Sequence, residues 1–219
     1  LVQAPALAET PREATERLKK IVEEIKQIAN EFPRPHIFFG VEVDFQSKFR
    51  KIIEEFLSSH SLDFVIGAVH YINGRRDRNF YLTYGERAYN AYLDECLAAI
   101  NSGLIDSLGH LNRPAGINPA VNFIELSKLQ LVLEALIDEK VALELNTHPY
   151  AQSMLSPIMK SFIRVGGEMV TLGSDAHHVL GLMRDFSKAK RLLIRSKINN
   201  LTIFVERRAK SVQIAFSSR

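Results

Sequence analysis

Residues 64–70 have the sequence FVIGAVH, six apolar or small residues that end on a histidine. A short run of this kind, without polar alternation, is typical of a strand that is buried on both faces of a parallel sheet. The same kind of run recurs along the chain. Strands are predicted at residues 36–43, 62–69, 104–109, 141–145, 169–173 and 201–205.

Segments with a helical spacing of apolar residues separate these strands. Helices are predicted at residues 10–30, 49–58, 85–101, 125–139, 153–165 and 186–195. The first begins at Thr10-Pro11-Arg12-Glu13, which has the pattern of a capping box with proline at the first helical position. Because strands that alternate with helices form βαβ units, the sequence predicts an α/β fold, either a closed barrel or an open doubly wound sheet.

The composition indicates one large globular domain over residues 1–219, with 46% hydrophobic and 24% charged residues. A formal net charge of +3 on scattered basic residues does not favour nucleic-acid binding, and no apolar run is long enough for a membrane span. The single cysteine, Cys96, lies on the apolar face of a predicted helix, which excludes a disulfide framework and favours a cytoplasmic setting. Neither common glycine-rich phosphate loop occurs, so nothing supports a nucleotide cofactor.

Histidines and acidic residues follow the predicted strands, at the positions where a parallel barrel carries its chemistry. Five of the seven histidines lie at or just past a strand end. The strand-end residues, in chain order, are Glu42, Asp44, His70, His110, Glu144, Asn146, His148, Asp175, His177 and His178. A single histidine in such a place is more often structural. Five in register, together with carboxylates that are costly to bury alone, favour metal binding.

Imidazole nitrogen with carboxylate oxygen is the ligand mixture that suits Zn²⁺, Mn²⁺ or Fe²⁺, and two or three such ions are predicted. The predicted metal ligands are Glu42, His70, His110, Asp175 and His177. Asp44 is interpreted as a group that orients a ligand or caps a helix. Two interpretations stay open for Glu144 and Asn146, which either orient ligands or substrate or form a structural polar pair.

The remaining polar candidates are weaker. Arg113 lies three residues after His110, and a contact with phosphate is favoured over exposure to solvent. His148 and His178 are balanced between a role in the site and a structural one. His36 and His60 lie outside strand ends and are predicted to be surface residues.

The strand-end motifs resemble those of the polymerase and histidinol phosphatase (PHP) superfamily, and within it the histidinol-phosphatase branch. The matching motifs are Gly40-Val41-Glu42, Phe64-Val65-Ile66-Gly67-Ala68-Val69-His70, Gly109-His110, Glu144-Leu145-Asn146 and Gly173-Ser174-Asp175-Ala176-His177. They span residues 36–178 in the family's order, and residues 185–189 are similar to the same branch.

The resemblance implies a distorted seven-stranded (β/α) barrel that holds up to three metal ions. Glu42, His70 and His110 would match one metal site. Glu42 would also bridge to a second ion that Asp175 completes, and His177 would serve a third. The residues expected to act in catalysis are Glu42, Asp175 and His177. The residues expected to contact the substrate are Arg113, Asn146, His148 and His178.

The implied activity is hydrolysis of a small-molecule phosphate monoester, L-histidinol phosphate, to L-histidinol and phosphate in histidine biosynthesis. In the mechanism expected for such a site, the ions lower the pKa of a bridging water and the hydroxide attacks phosphorus in line. Either Asp175 or a histidine is expected to protonate the leaving alkoxide. The alternatives are a PHP-type phosphodiesterase or nuclease and a non-catalytic module that binds metal or phosphate.

The sequence departs from the family's pattern at its start. Family members open with a strand that bears His-x-His and carry further histidines soon after it, and none of these occurs here. Ala68 stands where serine is expected, and Asn112 where an acidic residue is expected. Because five motifs are nearly intact, we expect a chain that lacks the first strands of the barrel and belongs to a longer protein, rather than one that has lost its activity.

Overall fold

The computed structural model of the chain describes residues 11–32, 34–76, 82–84, 86–117, 126–149 and 155–214. The helices are α1 (Pro11–Glu31), α2 (Arg50–Ser58), α3 (Glu86–Asn101), α4 (Arg113–Ile117), α5 (Leu126–Asp138), α6 (Leu155–Arg164) and α7 (Phe186–Arg195). The strands are β1 (Gly40–Asp44), β2 (Phe64–Ala68), β3 (Tyr71–Ile72), β4 (Arg75–Arg76), β5 (Ser107–Leu108), β6 (Ala142–Asn146), β7 (Val170–Gly173), β8 (Asn200–Val205) and β9 (Arg208–Gln213). The predicted capping residue Thr10 lies outside the described residues.

Five of these strands form one parallel sheet with the order β1-β2-β5-β6-β7. This arrangement confirms the predicted α/β fold, because each strand is joined to its neighbour through a connection that carries a helix. In the described part of the chain the parallel sheet has five strands, so it does not confirm the seven-stranded barrel. The carboxyl ends of the five strands lie at one edge of the sheet, where ligands bind in parallel α/β folds.

The core lies between the sheet and the helices that cover it. From α3 it receives Tyr89, Tyr92, Leu93 and Cys96, all buried, which confirms the predicted apolar face of that helix. The apolar faces of α5 and α6 pack against the same cluster. Burial of a leucine side chain such as Leu93 contributes about 1.5–3 kcal/mol to the free energy of folding. None of the helices within the described residues is both long and apolar enough to cross a membrane.

The last predicted strand does not join the parallel sheet. Residues 200–205 form β8, which pairs with β9 in an antiparallel hairpin rather than with the parallel sheet. The turn of this hairpin places Glu206 and Arg207 in the left-handed region, with φ of 51° and 61°. Such turns usually carry glycine or asparagine, so Glu206 and Arg207 do not indicate a hairpin in the sequence. The hairpin of β3 and β4 and the short helix α4 were likewise not predicted.

Arg207 joins this hairpin to the amino-terminal ends of β2 and β5. Its Nε donates to both carboxylate oxygens of Asp106 at 3.1 Å, and its Nη2 donates to Asp106 Oδ1 at 3.0 Å and to the carbonyl of Leu104 at 2.8 Å. Asp106 also accepts from the backbone N–H of Val65 at 2.7 Å. The hairpin is therefore held at the edge of the sheet opposite to the predicted site.

Candidate metal centre

Three of the predicted ligands come together at the carboxyl ends of neighbouring strands. Glu42 lies in β1, and His70 and His110 lie two residues beyond the ends of β2 and β5. One potential ligand atom from each side chain lies within 4.8 Å of the other two. Because parallel strands end at a common edge, the order β1-β2-β5 places the three side chains side by side.

The distances within this triad suit a shared cation. Oε1 of Glu42 lies 3.8 Å from Nε2 of His70 and 3.9 Å from Nε2 of His110. Both distances are too long for a hydrogen bond. Ligand atoms on a tetrahedral zinc with bonds of about 2.0–2.1 Å lie roughly 3.4 Å apart, which is close to the spacing found. The donor atoms therefore fit a divalent metal, although their role as ligands stays a prediction.

The carboxylate of Asp44 contacts His70. Oδ1 of Asp44 accepts from the backbone N–H of His70 at 2.9 Å and lies 3.5 Å from Nδ1 of the ring. This contact leaves Nε2 of His70 directed towards Glu42. A carboxylate that holds the second ring nitrogen of a ligating histidine is the usual outer partner in such sites. The position agrees with the interpretation of Asp44 as an orienting group.

The surroundings of His110 are buried and polar. The His110 side chain is 3% exposed, and its Nδ1 has no hydrogen-bond partner among the residues that the structure describes. Its backbone N–H donates to Oε2 of Glu144 at 2.8 Å, and Nδ2 of Asn146 donates to the same oxygen at 3.0 Å. Oδ1 of Asn146 accepts from the backbone N–H of His148 at 2.8 Å. Both polar ends of the Asn146 side chain thus have protein partners, and its predicted contact with substrate stays a prediction.

Burial and neighbouring charges shift the pKa values of Glu42 and His110. Burial alone would raise the pKa of Glu42, but His110, His70 and Arg113 outweigh it and hold that pKa below its ordinary value. Burial also opposes the charged form of His110, yet the carboxylates of Glu42 and Glu144 raise the pKa of His110 above its ordinary value. In the metal-free protein, these charges favour the carboxylate form of Glu42 and extend to higher pH the range in which His110 is protonated. A metal ion would take the place of the proton on His110.

Asp175 and His177 form a second group beyond the end of β7. Nδ1 of His177 lies 2.9 Å from the carbonyl oxygen of Asp175 and 3.7 Å from its Oδ1. The rings of His148 and His177 are 6.1 Å apart. Burial lowers the pKa of His148, and Asp175 only partly opposes this effect. Among the described residues, the grouping with metal-ligand spacing is the Glu42 triad, which does not include Asp175 or His177.

A cavity of about 360 Å³ connects the two groups. Its lining includes Glu42, Glu144, Asp175 and the half-buried His60. His60, predicted to be a surface residue, is half-buried. Its ring packs at a tilt against Phe56, and its Nδ1 lies 2.8 Å from the Phe56 carbonyl oxygen. No sequence signal marked His60, since it follows a helix rather than a strand. His36 is exposed, as predicted.

Two further candidates differ in their positions. Arg113 begins α4, its backbone N–H donates to the His110 carbonyl at 2.7 Å, and its charge contributes to the lowered pKa of Glu42. Its charge therefore acts on the triad. His178 is exposed at the start of the turn Val179–Gly181. The substrate contacts predicted for Arg113, His148 and His178 stay predictions.

Comparison with known proteins adds independent evidence. Residues 3–148 match the PHP domain family. The histidinol-phosphatase of Lactococcus lactis subsp. lactis (strain IL1403) is 29% identical over 215 residues, which cover 90% of this chain and 80% of the relative. A protein named "Probable histidinol-phosphatase" from Deinococcus radiodurans is 30% identical over 176 residues, or 74% of this chain and 66% of the relative.

A solved structure is also similar to this chain. It is the crystal structure of histidinol phosphate phosphatase from Lactococcus lactis subsp. lactis Il1403, complexed with zinc, L-histidinol and phosphate. The two structures superpose with a TM-score of 0.75 and 28% sequence identity, over 88% of this chain and 79% of the other.

Proposed function

The chain belongs to the PHP domain family, and on that premise we propose that it hydrolyses L-histidinol phosphate to L-histidinol and phosphate with divalent metal ions. The relatives named histidinol-phosphatase and the neighbouring structure with zinc, L-histidinol and phosphate support this activity. The observation in this chain that carries the proposal is the convergence of Glu42, His70 and His110 at the carboxyl edge of the sheet. Two or three ions of Zn²⁺, Mn²⁺ or Fe²⁺ are proposed for the complete site.

The wider architecture belongs to the same proposal. The five parallel strands are proposed to be part of a seven-stranded barrel within a single domain. The cytoplasmic setting predicted from the lone Cys96 also stays part of it; that residue is buried. The proposed partner is the small-molecule phosphate monoester.

The residues of the chain divide the chemistry between the two groups. Bound divalent ions would supply an activated water and neutralise charge on the phosphate oxygens. The Arg113 guanidinium, which acts electrostatically on Glu42 and His110, is assigned to orient the phosphate. His177 is assigned as the proton donor to the leaving alkoxide. The contact of its Nδ1 with the Asp175 carbonyl makes Nδ1–H the donor there. His177 is therefore assigned to act as an imidazolium, whose Nε2–H passes its proton to the alkoxide and leaves a neutral ring.

The test is phosphate release from L-histidinol phosphate by the metal-loaded protein. Glu42→Ala removes a carboxylate of the triad, whereas Glu168→Ala removes an exposed glutamate before β7 and serves as the matched control. We expect Glu42→Ala to lose both bound metal and turnover, and Glu168→Ala to keep both. Unchanged turnover in Glu42→Ala with reduced metal content would refute the metal-dependent mechanism. Release of nucleotides from single-stranded DNA without phosphate release from L-histidinol phosphate would favour the nuclease alternative.

A further inference from the structure

The backbone N–H of His110 lies beyond the end of the sheet. Strand β5 contains only Ser107 and Leu108, and its pairing with β2 and β6 ends at Leu108. The next N–H, that of Gly109, still donates to the Gly67 carbonyl at 2.8 Å. The N–H of His110 donates instead to a side chain, Oε2 of Glu144 from the neighbouring strand β6, at 2.8 Å. Glu144 thus takes the place of the strand carbonyl that the ladder no longer provides.

Glu144 is itself held in one position. The residue is 6% exposed, and the oxygen that accepts from His110 also accepts from Nδ2 of Asn146 at 3.0 Å. Asn146 is fixed in turn by the N–H of His148. On the other side, a Cβ at Gly173 would overlap Oε1 of Glu144. The carboxylate therefore fills the space that the missing side chain of Gly173 leaves free.

The conformation of His110 depends on such contacts. Its φ is +27°, in a region that residues with a Cβ rarely adopt, so the surrounding contacts must hold it there. Its N–H is bonded to Glu144, and its carbonyl accepts from the N–H of Arg113 at 2.7 Å. With both backbone groups fixed, the ring presents Nε2 to Glu42 at 3.9 Å.

We propose that Glu144 is a positioning residue that fixes His110 for metal binding, through the hydrogen bond from the His110 backbone N–H to its carboxylate oxygen. This inference rests on the proposed metal-dependent function and names the buried group that aligns one ligand of the triad. The part of Glu144 that matters is the carboxylate oxygen that accepts from the His110 N–H. Removing an outer partner of a ligating histidine typically weakens metal affinity or activity about 10- to 100-fold.

The experiment compares Zn²⁺ affinity, measured by competition with a chromophoric chelator, among variants of the full chain. Glu144→Ala removes the acceptor, and we expect about a 10- to 100-fold loss of affinity. Glu144→Gln keeps an oxygen in the same place, and we expect affinity within about threefold of the unmodified protein because a neutral carbonyl still accepts the bond. Glu168→Ala, an exposed glutamate, is the control and should not change affinity. The absorption spectrum of bound Co²⁺ should change in Glu144→Ala and be restored in Glu144→Gln.

Two results would overturn the proposal: unchanged affinity in Glu144→Ala, or an equal loss in Glu144→Gln and Glu144→Ala. If Glu144→Ala shows no cooperative unfolding transition without metal, Gly173→Ala decides in its place, since the added methyl group displaces the carboxylate. Gly173→Ala should then bind zinc about 10- to 100-fold more weakly than the unmodified protein, while Glu144→Gln binds it normally. Normal zinc affinity in Gly173→Ala with weakened affinity in Glu144→Gln would contradict the proposal. A failure of the unmodified protein to release phosphate from L-histidinol phosphate would remove the proposed reaction, yet the zinc affinities would still decide the role of Glu144.

Discussion

Replacement of Arg207 by methionine should lower the free energy of unfolding without changing the contacts of the metal site. The substitution keeps most of the aliphatic stem but removes the three bonds to Asp106, whose carboxylate is 8% exposed, and the bond to the Leu104 carbonyl. Breaking a buried ion pair costs about 3–5 kcal/mol because the remaining charge is left uncompensated. Arg207 is 32% exposed, and Asp106 keeps its bond from the Val65 N–H, so we expect a smaller loss of about 2–3 kcal/mol in the free energy of unfolding.

The assay is urea unfolding together with thermal unfolding of the metal-free protein. For a chain of this size, each kcal/mol lowers Tm by about 2–4 °C, so Arg207→Met should unfold about 4–12 °C earlier. Arg208→Met is the matched control, because Arg208 is the next residue, is exposed in β9 and is expected to change stability by less than about 0.5 kcal/mol. The double variant Arg207→Met/Asp106→Asn should lose less free energy of unfolding than the sum of the losses in the two single variants. Equal effects of Arg207→Met and Arg208→Met would refute the reasoning.

Three further predictions concern the site and the sheet. Asp44→Asn weakens the carboxylate contact to His70 and should lower Zn²⁺ affinity about tenfold or more in a chelator competition, with no change of affinity in the control Asp138→Asn. The pKa of His110 is raised, and its imidazolium form cannot bind metal. Zn²⁺ affinity in calorimetric titrations should therefore fall by about tenfold per pH unit as the pH drops below that pKa. An affinity that does not depend on pH would exclude His110 as a ligand. Gly67→Ala places a Cβ 2.6 Å from the Ile105 side chain and should cost about 1–3 kcal/mol in urea unfolding. In the control Gly103→Ala the new Cβ meets no atom of the described residues within 4 Å, so that variant tests only the effect of the positive φ.

Local patterns were enough to predict most of the helices and the parallel sheet. The apolar face of α3 and the run at residues 64–68 needed only periodicity and composition, because their burial follows from the side chains themselves. The pairing of β8 was not predictable in the same way. Its partner β9 is exposed and polar, and its turn relies on Glu206 and Arg207 in left-handed conformations that these residue types do not signal.

The site shows the same division. The convergence of Glu42, His70 and His110 follows from the rule that parallel strands end at one edge, and the sequence therefore anticipated it. The role inferred for Glu144 depends on where β5 stops pairing, a single-residue boundary that sequence patterns do not determine. The position of His60 beside the cavity depends on how α2 packs, which no strand-end pattern reports.

The strand boundaries illustrate why the finer structure escaped prediction. Residues 104–109 were predicted as one strand, yet only Ser107 and Leu108 pair on both sides. The backbone of Asp106 still bonds to Val65 and Ala142 on the two neighbouring strands. Its side chain in addition accepts from the Val65 N–H and from Arg207, which lies 101 residues away along the chain. Contacts between residues so far apart in sequence leave no periodic trace, so only the folded structure reveals them.

The central claim is that Glu42, His70 and His110 bind one divalent cation together. Crystals of the protein grown with zinc, measured above the zinc absorption edge, give an anomalous difference map that locates the ion directly. We predict a peak at about 2.0–2.2 Å from Oε1 of Glu42 and from Nε2 of both histidines. Zinc bound elsewhere, with these three side chains in contact only with water or one another, would contradict the account.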